Sequence, residues 1–127
     1  MTHPLFVQTL AVAAGGALGA ALRFWTNHWV RAWLGGSFPV ATLMVNFFGS
    51  FMLGFLTAYL LDDASWPVWL RVALGAGVMG ALTTFSAFSL ETVLLFEQGK
   101  PLKAALNVFL NLSLCLLAVW LGLFVAR

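Results

Sequence analysis

Charged residues punctuate this chain sparsely, with long apolar runs between them. They stand at positions 23, 31, 62, 63, 71, 91, 97, 100, 103 and 127, leaving uncharged stretches at 1–22, 32–61, 72–90 and 104–126. About 20 apolar residues cross a hydrocarbon layer of roughly 30 Å. Each stretch, trimmed or extended by a neighbour, meets that length, so the pattern predicts four transmembrane helices in a single domain over residues 1–127. Sustained alternation of apolar and polar residues is missing, which argues against a membrane barrel. Turn signals fall between the runs: Gly35-Gly36-Ser37-Phe38-Pro39, Asp62-Asp63-Ala64-Ser65 and Gln98-Gly99-Lys100-Pro101. Short connections imply antiparallel neighbours.

Composition agrees with a lipid solvent. Of the 127 residues 62% are hydrophobic and 8% charged, against about 25% charged in an ordinary soluble domain. A net charge of +2 is too small for a nucleic-acid footprint. One cysteine excludes an internal disulfide. The first apolar run lacks the basic start of a signal peptide, since only His3 precedes it, and is read as a retained span. Trp25, Trp29 and Trp33 share a face at the end of that span, and Trp66 and Trp69 flank the third. Both groups fit anchoring at the membrane interface.

The Lys/Arg distribution is nearly even. Arg71 and Arg127 lie on the side of the termini; Arg31, Lys100 and Lys103 lie opposite, with Arg23 if it reaches that interface. Orientation follows the Lys/Arg excess, so so slight a bias permits insertion both ways round. Two counter-inserted copies would form an antiparallel homodimer about an axis in the membrane plane. Small residues four apart support close helix packing: Gly15 with Gly19, Ser50 with Gly54, Gly54 with Ala58, Ala76 with Gly80, Gly77 with Ala81.

The third span is expected to break near its middle. Residues 66–98 carry no strong turn signal, and a straight helix of that length would run about 50 Å. Gly77-Val78-Met79-Gly80-Ala81-Leu82-Thr83-Thr84-Phe85-Ser86 holds the glycines and paired threonines where it would open. Freed carbonyls there could hold a cation, and the following half-helix would aim its amide end at an anion. Gly75-x-Gly77-x-x-Gly80 also matches a dinucleotide fingerprint, but that motif needs a βαβ unit, which this pattern does not offer.

Polar side chains at depth are few and therefore informative. Thr42 and Asn46 lie one turn apart in the second span; Thr83, Thr84, Ser86 and Ser89 follow the expected break; Asn107, Asn111 and Cys115 form one face of the fourth span. Arg23 and Glu91 are the deep ionisable candidates. Phe85 and Phe88 share a helix face, and ring edges are electropositive. Donors and ring edges together suit a small anion. Each feature also has an ordinary reading: hydroxyls bond their own i−4 carbonyl, asparagines tie helices together, and phenylalanines pack. Composition alone does not choose the ion.

The motifs Gly16-x-x-Gly19-x-x-x-Arg23, Thr42-Leu-x-Val45-Asn46-x-x-Gly49-Ser50-x-x-x-Gly54 and Gly80-Ala-Leu-Thr83-Thr84-Phe85-Ser86-Ala-Phe88-Ser89-x-Glu91 resemble the Fluc (CrcB) fluoride channels over nearly the whole chain. The resemblance implies an all-α membrane protein of four transmembrane helices, working as a dual-topology antiparallel dimer with two pores. It implies passive export of fluoride across the bacterial inner membrane, and so fluoride resistance. It assigns the fluoride pathway to Phe85, Phe88, Asn46, Thr42, Ser86, Ser89 and Glu91, with Arg23 shaping a vestibule and the fourth-span track at Asn107, Asn111 and Cys115. It implies a structural sodium ion (Na+) between the subunits, on the carbonyls of Gly80 and Thr83. Ala81 and Ala87 depart from the family's frequent glycine and threonine. The alternatives are a small proton-coupled multidrug or guanidinium exporter, which needs a carboxylate in the first span, and a haem-bearing anchor, which needs histidines at depth. An enzyme is not expected, since no nucleophile–base pair or metal cluster can be assembled.

Overall fold

The computed structural model describes residues 4–127; His3, at the start of the first apolar run, lies outside them. Among the described residues the chain is helical, with four segments long and apolar enough to cross a membrane: Leu5–Leu34, Val40–Leu61, Val68–Glu97 and Pro101–Ala126. They contain most of each uncharged run, and the first three end at turn formers, while Arg23, Arg31, Arg71, Glu91, Glu97 and Lys103 fall within the helical segments.

The connections follow local chemistry. Gly35 and Gly36 take φ of 56° and 83° and turn the chain out of the first span. Asp63 accepts the Ser65 N–H at 2.9 Å in the second connection. That backbone bond, with the Ser65 hydroxyl, holds the Asp63 carboxyl below the usual carboxylate range. At the third connection Lys100 N–H bonds Leu95 O and Gly99 N–H bonds Phe96 O, with Gly99 at φ 75°. This double closure is the Schellman motif, and it needs a left-handed residue at Gly99. Pro101 then opens the fourth span, where its missing N–H costs nothing.

The closest packing does not join sequence neighbours. The first span lies along the N-terminal part of the third, and the second lies along the fourth. Glycines permit both approaches. A Cβ added at Gly15 would lie 2.1 Å from Ala73 O, and one at Gly19 2.2 Å from Val78 O. Across the other pair, a Cβ at Gly54 would meet Val119 O at 2.3 Å, and one at Gly122 would meet Phe51 O at 2.1 Å. Of the small residues singled out in the sequence, Gly15, Gly19, Gly54 and Gly77 take part in these contacts. Gly80 does not: it is exposed, and an added Cβ there would have only Gly75 O nearby, at 3.7 Å.

The third span changes geometry along its length. It begins as α-helix, widens into a π-helical turn over Ala73–Met79, and returns to α-helix at Gly80–Leu82. Thr83 then takes φ −83°, ψ 155° and Thr84 φ −153°, ψ 115°, both extended. Helix resumes over Phe85–Glu97.

Candidate functional site

Two extended residues at membrane depth expose backbone groups that lipid cannot satisfy. Asn46 meets those of Thr84. Its Oδ1 accepts the Thr84 N–H at 2.8 Å, and its Nδ2 donates to Thr84 O at 3.1 Å. The same Nδ2 donates its second proton to Asn111 Oδ1 at 3.2 Å. Asn46 is thus engaged at every donor it has. Thr84 in turn starts the next half-helix: its Oγ1 accepts the Ala87 N–H at 3.1 Å and lies 3.2 Å from Ser86 Oγ. A threonine cap of this kind satisfies one of the free amides at a helix start.

These bonds redirect two amides. In an uninterrupted helix the Thr84 N–H would go to Gly80 O, and the Ala87 N–H to Thr83 O. They go to Asn46 Oδ1 and Thr84 Oγ1 instead. The carbonyls of Gly80 and Thr83 are left without those donors. The Ala81 carbonyl receives Arg23, whose Nε donates to it at 3.0 Å.

The polar track continues up the fourth span. Asn111 Nδ2 donates to both the backbone O and Oδ1 of Asn107 at 2.9 Å, and Asn107 Nδ2 donates to Thr92 Oγ1 at 2.9 Å. Asn107 is fully buried. Thr92 closes the track by donating to Phe88 O. Asn46, Asn107 and Asn111 therefore form one hydrogen-bonded ladder across the second, third and fourth spans. Thr92 is the rung that no motif singled out.

Beside the ladder lies a cleft of about 280 Å³. Asn46, Thr84, Asn111, Phe85, Phe88 and Cys115 are among its walls. Phe85 is 74% exposed and Phe88 is 6% exposed. Their rings meet edge-to-face, with centroids 5.3 Å apart and planes at 74°. Ser89 lies on the same half-helix, but its hydroxyl bonds the Phe85 carbonyl at 2.8 Å, the ordinary i−4 bond.

A second cavity, of about 390 Å³, opens at the end of the chain marked by the first and third connections. Arg31, Ser37, Thr42, Glu91 and Gln98 line it. Thr42 Oγ1 donates to Glu91 Oε1 at 2.8 Å. The cation nearest Glu91 is Arg31, at 3.9 Å, and Arg23 is committed to Ala81. Thr42 stands one turn from Asn46, and Glu91 stands three residues from Phe88. One helical turn thus separates the two cavities along both walls.

A family model described as CrcB-like protein, Camphor Resistance (CrcB), matches residues 10–123. The chain belongs to the CrcB-like family. Its relatives include proteins named "Fluoride-specific ion channel FluC". That of Methylococcus capsulatus is 50% identical over 95% of this chain and 53% of its own length, so the chain spans about half of that relative. That of Shewanella amazonensis is 49% identical over 91% of this chain and 92% of its own. That of Aeromonas salmonicida is 49% identical over 90% and 91%. With four apolar spans, this CrcB-like chain is a multi-pass integral membrane protein of the bacterial inner membrane.

Proposed function

We propose that this protein is a passive, fluoride-selective ion channel that exports fluoride across the cytoplasmic membrane. The observation that carries the reading is the cleft itself. It brings amide donors, hydroxyls and phenylalanine edges together at membrane depth, in a chain about half identical to proteins named for fluoride conduction. The whole pathway would run from the Thr42–Glu91 cavity past Phe88 to the cleft at Asn46, Phe85 and Asn111, while Arg23, held on Ala81 O and not among that cavity's walls, would shape the vestibule. Asn107 would hold Asn111, and Ser86 and Ser89 would border the route.

Fluoride is small and strongly hydrated, so only close donors can replace its water. The Asn46 bond to Asn111 joins two side chains, whereas its pairing with Thr84 fixes a backbone. An arriving anion would take the proton now given to Asn111 and leave the Thr84 pairing intact. The edge-to-face phenylalanines would present positive ring edges to the ion. The first span carries no carboxylate to couple export to protons, so nothing here favours the exporter reading.

Two further elements complete the proposal. The working unit is a dual-topology antiparallel homodimer, supported by the nearly even Lys/Arg balance and by the open surface at Gly80. A structural Na+ lies between the copies on the carbonyls of Gly80 and Thr83. The donor set fits: both oxygens are neutral, and both have lost their helical amide partners. Bound there, the ion would supply positive charge that offsets the desolvation of an anion. The break in the third span then has a function, to free these oxygens.

The test is efflux from liposomes containing the purified protein, comparing fluoride with chloride after the proton gradient is collapsed. Fluoride release with chloride retained supports the channel. Release that stops with the gradient supports an exchanger.

A further inference from the structure

We infer that Arg31 is a positioning residue of the conduction path: it neutralises Glu91 at the mouth, so that an anion can pass a carboxylate. This inference rests on the channel reading. Glu91 poses a problem that the family pattern does not solve. It lines the 390 Å³ cavity that leads toward the cleft, and a carboxylate there repels the ion that must cross. Among the residues lining that cavity, Arg31 and Glu91 carry the charges. Arg23, the arginine the motifs single out, is tied to Ala81 O.

The geometry of the Arg31–Glu91 contact suits transit better than a tight pair would. Thr42 holds Glu91 Oε1 at 2.8 Å, and Arg31 Nη2 stands 3.9 Å from the same oxygen. The Glu91 side chain is 19% exposed, whereas that of Arg31 is 73% exposed. The carboxylate is therefore fixed and the cation is free to move. Arg31 can meet an anion in the open cavity and return to Glu91 once the ion has moved inward. Left without a cation at a concave mouth, the Glu91 carboxylate would lower the local anion concentration on the order of tenfold or more. Its field acts within a Debye length of about 8 Å at physiological salt. Lys103 supports the same rim by donating to Ser37, another lining residue.

The experiment is fluoride efflux from liposomes for the full chain, Arg31→Gln, Arg31→Lys, Glu91→Gln and the double variant Arg31→Gln/Glu91→Gln, each at low and high ionic strength. Arg31→Gln is expected to lower flux about fivefold to tenfold, on the scale of local concentration lost, and more at low ionic strength. Arg31→Lys is expected to keep most of the flux. In the Glu91→Gln background the Arg31→Gln loss should shrink to less than twofold. A loss of the same size in both backgrounds overturns the inference, as does a lysine variant no better than glutamine. The exposed position of Arg31 leaves the fold of its single variants intact, and elution as the wild-type oligomer checks this for all four variants. A wild type that releases fluoride and chloride alike retires the channel reading together with this one. A selective wild type with an unchanged Arg31 effect in both backgrounds retires the role of Arg31 alone.

Discussion

The side-chain amide of Asn46 pairs with both backbone polar groups of Thr84, accepting its N–H at 2.8 Å and donating to its C=O at 3.1 Å. An asparagine on one helix thereby stands in for the neighbouring strand that an extended residue would otherwise need. Asn46→Asp tests this pairing and conduction together. Aspartate can still accept the Thr84 N–H, but it cannot donate to Thr84 O or to Asn111 Oδ1. Each buried group left unsatisfied costs about 1–3 kcal/mol. Fluoride efflux should fall at least tenfold, by direct repulsion, and the thermal midpoint should drop. Normal efflux with unchanged stability would show that neither ion nor backbone depends on this amide.

Phe85 and Phe88 should separate conduction from stability. Phe85 is exposed and Phe88 is buried. Phe85→Ile is expected to reduce fluoride efflux severalfold with the thermal midpoint nearly unchanged, because little packing is lost. Phe88→Ala should cost about 3–5 kcal/mol as a buried aromatic truncation, whereas Phe88→Ile should lower flux at a smaller structural cost. Efflux and differential scanning on the same preparations read both effects. Undiminished flux in Phe85→Ile and Phe88→Ile would remove ring edges from the account.

The four spans and their turns were legible in the sequence, because apolar length and breaker residues act locally, and the motifs contained Asn46, Thr84, Phe85 and Phe88 of the cleft wall. The roles of individual hydroxyls were not. Thr83 and Thr84 are adjacent and chemically identical, yet Thr83 Oγ1 bonds its own i−4 carbonyl at Met79, while Thr84 caps the next half-helix. What separates them is Asn46, 38 residues away from Thr84. Likewise the sequence marks Arg23 and Glu91 as the deep charged residues but gives no pairing. Packing of the first span sends Arg23 to Ala81 and brings Arg31 to Glu91. Thr92 was missed for the same reason: its partner Asn107 comes from another span.

Removal of sodium should act on assembly. Exchange of Na+ for a bulky organic cation is expected to weaken the proposed dimer or slow efflux, and Gly80 is the residue to vary alongside it. An added Cβ at Gly80 meets nothing closer than 3.7 Å within one chain, so Gly80→Ala should leave the fold of the single chain intact. Any loss of dimer in that variant, read by light scattering in detergent, therefore reports on the partner or the ion. A dimer equally stable in both cations and in both sequences would contradict the proposed site.

Gly54 and Gly122 should behave differently from Gly80. Each faces a backbone oxygen across the second and fourth spans. Gly54→Leu should force those helices apart, and overpacking of this kind costs about 1–3 kcal/mol or more. Loss of folded protein on size-exclusion chromatography is the expected result. A normally folded variant would mean that the two spans can separate without penalty.

The most direct measurement remains halide selectivity in reconstituted liposomes. Fluoride should leave the vesicles down its gradient while chloride stays trapped, with no dependence on a proton gradient. Equal release of fluoride and chloride would contradict the claim that amide donors and ring edges inside the membrane replace the water of this one ion.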